Sequence, residues 1–390
     1  MPGLVIKPRS RIFHGHDWVY TSEVQKSFGN PEPGDVISLK DFKDRPLGTA
    51  IYNPASQIVA RRISRRKQQL DAPFFLRRLE RAQALRDSLG YEDGLYRLVW
   101  SEADGLPGVV IDRYGNHFVL QTLTLAMDQR KALIVEALRE LYGPEVVVIE
   151  RNDSAIRKAE GLELETGVLA GSWDGPFEIE VHGIAQEVDL LEGQKTGIYL
   201  DQLDNYASVA KRSGGKTVLD CFCNQGGFAL HAAKAGAESV LAVDISDTAV
   251  EATRNNARRN GLSVVVEEAN VFDFLKEAET AGRQFDLIVL DPPSFTKSRK
   301  AVGSAMRGYK EIHLRALKLL TKEGVLSTYS CSHHISEKEF FEMICDASVD
   351  AKRTLRVLES HTQRSDHPVI ATIPETKYLK GFTFQTVGGF

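Results

Sequence analysis

The sequence predicts an α/β protein: a doubly wound, Rossmann-like parallel sheet in the C-terminal half, preceded by a small β-barrel and a central α+β unit. Three observations carry this. From about residue 190, apolar strand-like runs alternate with helical stretches. Residues 1–70 hold only short strand-like runs separated by turn clusters. Residues 73–90 switch to helical spacing, and residues 96–150 mix strands with one more helix.

In the first segment, Gly29-Asn30-Pro31-Glu32-Pro33-Gly34-Asp35 is a turn cluster. Strand-like runs at 35–39, 47–52 and 58–63 follow, and a small barrel is their natural closure. Next, Phe74, Phe75, Leu79, Ala82, Leu85 and Leu89 fall on one helical face, with Arg77, Arg78, Arg81 and Arg86 between them and Gly90 as a stop. Strands are expected at 96–100, 108–112, 118–122 and 146–150, a helix at 128–142, and a strand pair near 177–190. The C-terminal strands fall at 217–220, 239–243, 264–267, 286–290, 323–329, 354–359 and 381–387. Ser246 caps a helix over 246–260 that stops at Asn260-Gly261, and Ser336-x-x-Glu339 is a capping box. The last two strands bracket 360–380 without a crossover helix, which predicts an antiparallel closing hairpin. The expected domains are 1–72, 73–185 and 186–390.

Composition narrows the function. No apolar run approaches the roughly 18 residues of a membrane span, and the N-terminus lacks a signal-type stretch. Four cysteines make no disulfide framework, so a reducing cytoplasm is expected. Cys221-x-Cys223 has no second ligand pair at metal spacing, so no metal site is expected. The net charge is −4, yet residues 1–70 hold twelve Lys/Arg against six Asp/Glu. Five of the seven residues from Arg61 to Lys67 are basic, so Arg61 and Arg62 are candidates for a nucleic-acid phosphate. The competing reading is a solvated strand end leading into a linker.

The stretch Val218 to Phe228 carries the cofactor signal. An apolar run ends in Asp220, a loop with Phe222 and Asn224 follows, and Gly226-Gly227 opens a helix. Asp244 ends the next strand 24 residues on, about one β-loop-α-β unit, where an acid can hold both hydroxyls of a ribose. Ile245 follows it, beside the cofactor. There is no G-x-G-x-x-G at this turn and no phosphate-binding G-x-x-x-x-G-K-[ST] in the chain. A glycine pair without a pyrophosphate cradle suits S-adenosylmethionine (SAM), with its ribose on Asp244 and its amino-acid end at the loop after Asp220. Asn270-Val271 ends the third strand and is a candidate for the adenine edge; for Asn270 a plain helix cap is the alternative.

Two motifs carry the chemistry. Asp291-Pro292-Pro293-Ser294-Phe295 follows a buried strand, so Asp291 should reach the carboxyl edge of the sheet in a loop stiffened by the prolines. Pro292, Pro293 and Phe295 are expected against substrate. Thr328-Tyr329-Ser330-Cys331-Ser332 places Cys331 at the same edge. Carbon 5 of a pyrimidine is a poor nucleophile until a thiolate adds at carbon 6. A proton or hydrogen bond at ring nitrogen 3, a task for Asp291, stabilises the charge that develops. A buried structural cysteine is the alternative for Cys331. Before this domain, Lys195 could meet the cofactor carboxylate, and Tyr199, Asp201 and Gln202 could line the cofactor or substrate pocket; a linker turn on Gly193 and Gly197 is the alternative.

The chain resembles the large-subunit ribosomal RNA cytosine-5 methyltransferases of the RlmI type over all three segments. The residues that carry this are His16-Asp17-Trp18-Val19-Tyr20, Tyr52 to Ile58, Glu102 to Gly108, Lys195 to Gln202, Asp291 to Phe295, Arg307-Gly308-Tyr309-Lys310, Ser330-Cys331-Ser332 and Asp366-His367-Pro368. The resemblance implies an N-terminal PUA domain, a central α+β domain and a class I methyltransferase domain. It implies SAM as donor, cytosine in 23S ribosomal RNA as acceptor, Cys331 as nucleophile and a homodimer. Many RNA cytosine-5 methyltransferases carry a second cysteine in the Asp-Pro-Pro loop; Ser294 and its neighbours supply none, so the group that removes the carbon 5 proton is unassigned. A uracil-5 RNA methyltransferase and a SAM-binding RNA assembly factor are the alternatives.

Overall fold

The computed structural model describes residues 1–91, 94–193, 196–296 and 298–388. The chain divides into two compact units: Met1–Phe177 with Val188–Leu200 and Ser365–Lys377, and Glu178–Glu187 with Asp201–Arg364 and Tyr378–Phe390. Two segments beyond residue 185 thus belong to the first unit.

The first unit opens with strands β1 (Gly3–Ile6), β2 (Trp18–Val19), β3 (Val24–Phe28), β4 (Val36–Asp41), β5 (Pro46–Tyr52) and β6 (Ala60–Ser64), in one sheet of order β2-β6-β5-β4-β1-β3. Alternation along β4 sends Ile37 and Leu39 into a core with Leu4, Ile6, Val19 and Ala50. Helix α1 (Ala72–Ser88) starts where the Asp71 carboxylate accepts from the Phe74 N–H at 2.9 Å. It buries Phe74, Phe75, Leu79 and Ala82 against a second sheet. That sheet contains β7 (Leu95–Trp100), β8 (Val109–Tyr114), β9 (His117–Thr122), β10 (Val147–Asn152) and β11 (Glu165–Ala170), in order β11-β10-β9-β8-β7. Edge strand β11 was not expected, because the run Glu165-Thr166-Gly167 lacks apolar alternation.

The helix expected over 128–142 is two helices, α2 (Leu125–Asp128) and α3 (Lys131–Tyr142). Arg130 breaks them apart: its guanidinium donates to the Ala126 carbonyl at 2.8 Å and so satisfies an end of α2 that a continuous helix would have capped itself. Arg86 on α1 is fully buried, yet both terminal nitrogens donate to Asp104 (2.6 and 2.9 Å) and one also reaches the Asp366 carbonyl. A buried guanidinium is tolerable only with such complete pairing.

The second unit holds a hairpin, β12 (Phe177–Val181) and β13 (Ile184–Val188), then α4 (Leu203–Ala210). Its sheet contains β14 (Thr217–Cys221), β15 (Ser239–Asp244), β16 (Val265–Glu268), β17 (Phe285–Leu290), β18 (Leu320–Ser330), β19 (Thr354–Thr362) and β20 (Lys380–Val387). The order is β16-β15-β14-β17-β18-β20-β19, with β20 antiparallel to both neighbours, so the closing hairpin is present. Helices α5 (Gly227–Lys234), α6 (Asp247–Arg259), α7 (Val271–Thr280), α8 (Val302–Leu319) and α9 (Glu337–Asp350) join the strands. Ser246 caps α6 and the Ser336–Glu339 box caps α9, as the sequence predicts. The strand order reverses between β14 and β17, and ligands of open α/β sheets bind at the carboxyl edge of such a switch point. Among the described residues, no helix is long and apolar enough to cross a membrane, and no cluster could hold a metal ion.

Candidate active site

The loop after β14 turns sharply, with Phe222, Asn224 and Gly226 at φ values of 63°, 49° and 85°. Two of these are not glycine, which is costly backbone of the sort found at ligand sites. The turn aims the Asn224 N–H at one Asp244 oxygen (3.0 Å), while the Ser246 N–H holds the other (3.0 Å). Asp244 is therefore fixed in direction, and each oxygen keeps a lone pair for a ribose hydroxyl. Ile245 beside it is 65% exposed, an apolar surface next to that carboxylate. Gly227 opens α5 where a Cβ would stand 2.4 Å from the Tyr206 ring, so only glycine fits.

Asp220 is buried, with one oxygen accepting from the Ala229 N–H at 2.9 Å and the other without a partner. Burial, and then the nearby Asp291 and Asp244 carboxylates, push its pKa well above the usual range. A buried orphan acceptor among acids suits a cationic ligand rather than a phosphate. SAM, with its ammonium and sulfonium, fits this donor set: Asp244 would hold the ribose, and the Asp220 loop the amino-acid end. Asn270 is exposed, and its side chain accepts from the Phe272 N–H at 2.9 Å, capping α7. Val271 is 2% exposed and packs into the core, so its side chain offers no ligand surface.

Two of the expected catalytic residues follow neighbouring parallel strands. Leu290 of β17 is in register with Thr328 of β18, so Asp291 and Cys331 leave the sheet at the same edge. Gln202 donates to an Asp291 oxygen at 3.0 Å, and Asn205 fixes the Gln202 amide by donating to its carbonyl at 2.6 Å. The Asp291-Pro292-Pro293 loop is tied to the Cys331 loop through Ser294, whose hydroxyl lies 2.9 Å from that of Ser332. Tyr309 is 3.1 Å from the Ser332 hydroxyl and accepts from Ser330 at 3.2 Å. Lys380 donates to the Ser332 and Ile335 carbonyls at 2.6 Å each. Pro292 is buried and Pro293 exposed, whereas Phe295 is half-buried and packs against Tyr309 with ring centres 4.6 Å apart. Cys331 itself is half-buried. The other three thiols are poor nucleophiles: burial, then Asp220, pushes Cys221 and Cys223 well up, and burial, Asp346 and Glu342 raise Cys345.

Lys195 falls outside the described residues, and Tyr199 is half-buried in the first unit. Asp201 accepts from the Tyr378 hydroxyl at 2.6 Å. The Arg61 and Arg62 side chains are 13% and 6% exposed and are committed to ion pairs, Arg61 with Glu102 and Arg62 with Asp17, both at 2.7 Å. They are therefore not free cations for a phosphate; the sequence shows charge, not direction. Asn205, Tyr309 and Lys380 were missed as site residues. Tyr309 lay within a quoted motif, but Lys380 meets the Cys331 loop only because β20 pairs it with Ser330.

This sheet order, with an acid, a glycine-opened helix and a second acid at the switch point, defines a class I SAM-dependent methyltransferase. Residues 212–373 match the family described as methyltransferase domain, and residues 7–65 match the PUA-like domain. The chain is 43% identical over 375 residues, 94% of each chain, to the ribosomal RNA large subunit methyltransferase I of Photobacterium profundum. It is 42% identical over 385 residues, 97% of each chain, to the protein of that name from Aeromonas salmonicida. The crystal structure of SMU.776 complexed with SAH matches with a TM-score of 0.85 over 99% of this chain and 100% of that one, at 23% identity, a likeness of fold. The chain belongs to the ribosomal RNA large subunit methyltransferase I family.

Proposed function

We propose that this SAM-dependent ribosomal RNA methyltransferase modifies carbon 5 of a cytosine in 23S ribosomal RNA, with Cys331 as nucleophile and Asp291 as the group at ring nitrogen 3. The reading rests on one observation: Asp291 and Cys331 leave adjacent strands at the carboxyl edge, in loops tied by the Ser294–Ser332 contact. Cys331 forms a bond from sulfur to carbon 6, and the electron pair of the 5,6 double bond moves to carbon 5. Asp291 supplies a proton or hydrogen bond at nitrogen 3, and Gln202 keeps the carboxyl aimed. Bound SAM would supply the electrophilic methyl that carbon 5 takes, its sulfur keeping the electron pair of the broken sulfur–methyl bond and leaving as the thioether. A base then removes the carbon 5 proton, the double bond re-forms and the Cys331 thiolate leaves. Asp220, Asp244, Ile245 and the loop through Phe222, Asn224, Gly226 and Gly227 are assigned to the cofactor, with Asn270 and the Val271 backbone at its margins.

As functional divisions we assign a PUA domain to 1–72, a central domain to 73–185 and the methyltransferase domain to 186–390, in a cytoplasmic homodimer; sedimentation of the full chain tests the dimer. The deciding experiment is methyl transfer to rRNA from cells lacking the protein, with the product nucleoside identified by mass spectrometry. The expected product is 5-methylcytidine, lost in Cys331→Ala while SAM binding persists. A methylated uridine, or normal turnover by Cys331→Ala, overturns the reading.

A further inference from the structure

The first unit sorts its arginines. Arg11, Arg45, Arg61, Arg62, Arg86, Arg97 and Arg157 each pair with a carboxylate. Among the described residues, Arg65, Arg66, Lys67, Arg77, Arg78 and Arg81 form no ion pair, and all are exposed except Arg78, which is half-buried. These six are neighbours. Arg78 donates to the Ile63 carbonyl at 2.8 Å, joining α1 to the end of β6. Arg65 and Arg78 line one cleft of about 200 Å³. Burial, and then the Arg81 and Arg77 charges, lower the pKa of Arg78 more than the nearby Asp17 raises it. Like charges one helical turn apart cost a few tenths of a kcal/mol in an isolated helix, so Arg77 and Arg81 weaken α1 by themselves. A run of neighbouring cations without ion pairs is complementary to a polyanion.

We infer that the RNA-contact surface of the first unit is this ridge, the end of β6 with the exposed face of α1, and that it extends beyond the matched PUA-like residues 7–65 onto Arg77 and Arg81. The inference rests on the rRNA methyltransferase reading and names the backbone phosphates of that RNA as the ligand. Arg77 and Arg81 are about 6 Å apart along the helix axis and face a sugar-phosphate chain as point contacts, without base readout.

The test is filter binding of an unmethylated 23S rRNA transcript to the full-length protein from 50 to 200 mM KCl. R77A/R81A and R65A/R66A are compared with wild type and with R258A, an exposed arginine of the second unit, on α6, paired with Glu251. Each phosphate contact contributes about 0.7–0.9 to the slope of log K against log salt, so each double variant should lose roughly 1.5–2 from the slope. Across that fourfold rise in salt the wild type then loses about tenfold more affinity than the variant. SAM binding and the circular dichroism spectrum should not change. Wild-type affinity and slope in both double variants overturn this inference and leave the enzymatic reading intact. A wild-type protein that neither binds nor methylates the transcript overturns both.

Discussion

Gln202→Leu isolates the geometry around Asp291. The side chain is 2% exposed, donates to Asp291 at 3.0 Å and is itself fixed by Asn205 at 2.6 Å. Leucine keeps much of the volume and removes the donor. A hydrogen bond is worth about 0.5–1.5 kcal/mol net, and tenfold in rate is about 1.4 kcal/mol. If that bond orients the carboxyl for the transition state, kcat should fall about 2- to 13-fold, with KM for RNA and the SAM affinity little changed. Asn205 also donates to the Thr362 carbonyl at 3.3 Å, so it retains a partner when Gln202 is gone. Asn205→Ala should cost several-fold in kcat alone and nothing further in the Gln202→Leu background, because it acts through Gln202. Single-turnover methyl transfer on unmethylated rRNA measures both arms. Unchanged kcat in Gln202→Leu, or additive losses in the double variant, would refute the relay.

Two other perturbations test different parts of the second unit. Gly227→Ala places a methyl 2.4 Å from the Tyr206 ring, so SAM affinity should fall at least tenfold and stability by about 1–3 kcal/mol; isothermal titration with normal SAM affinity would show that the approach is not needed. His231 and His313 are buried, and burial lowers each pKa from 6.5 to about 4, so the unfolded chain binds more protons between those values and stability is lost as pH falls through the window. Each should cost about 2 kcal/mol between pH 7.5 and pH 5, and urea unfolding of His313→Gln should show a shallower pH slope than wild type; equal slopes would contradict the assignment.

The legibility of the chain follows the range of its interactions. Ser246, the Ser336–Glu339 box and the seven strands of the second unit are local patterns, and they stand where the sequence placed them. The short strands β1 to β3 hold too few residues for periodicity to register, and the break at Arg130 depends on a side chain turning back onto Ala126. Of the candidate site residues, Asp220, Asp244 and Asp291 each end an apolar run and Cys331 follows strand β18, so local pattern alone puts each at a strand end. Asn205 and Lys380 could not be read in this way: Asn205 acts through Gln202, whose own partner Asp291 is far along the chain, and Lys380 reaches the Ser332 and Ile335 carbonyls only through the packed sheet. Arg61 and Arg62 show the converse. The basic run is real, but which of its side chains turn inward depends on Glu102 and Asp17, which lie well away along the sequence.

The four thiols differ in their surroundings, and the proposed nucleophile is set apart by its position in the sheet rather than by residue type. Cys221 and Cys223 flank the cofactor turn but are buried beside the Asp220 carboxylate, where a thiolate would be a second uncompensated charge. Cys345 sits on α9 against Asp346 and Glu342, again disfavouring the anion. Cys331 differs in standing just past the end of β18, between Ser330 and Ser332, whose hydroxyls are held by Tyr309. Lys380 adds a cation on the carbonyls of the same loop. The antiparallel strand β20 thus does more than close the sheet: its pairing with β18 is what carries an ammonium to the loop that holds Cys331.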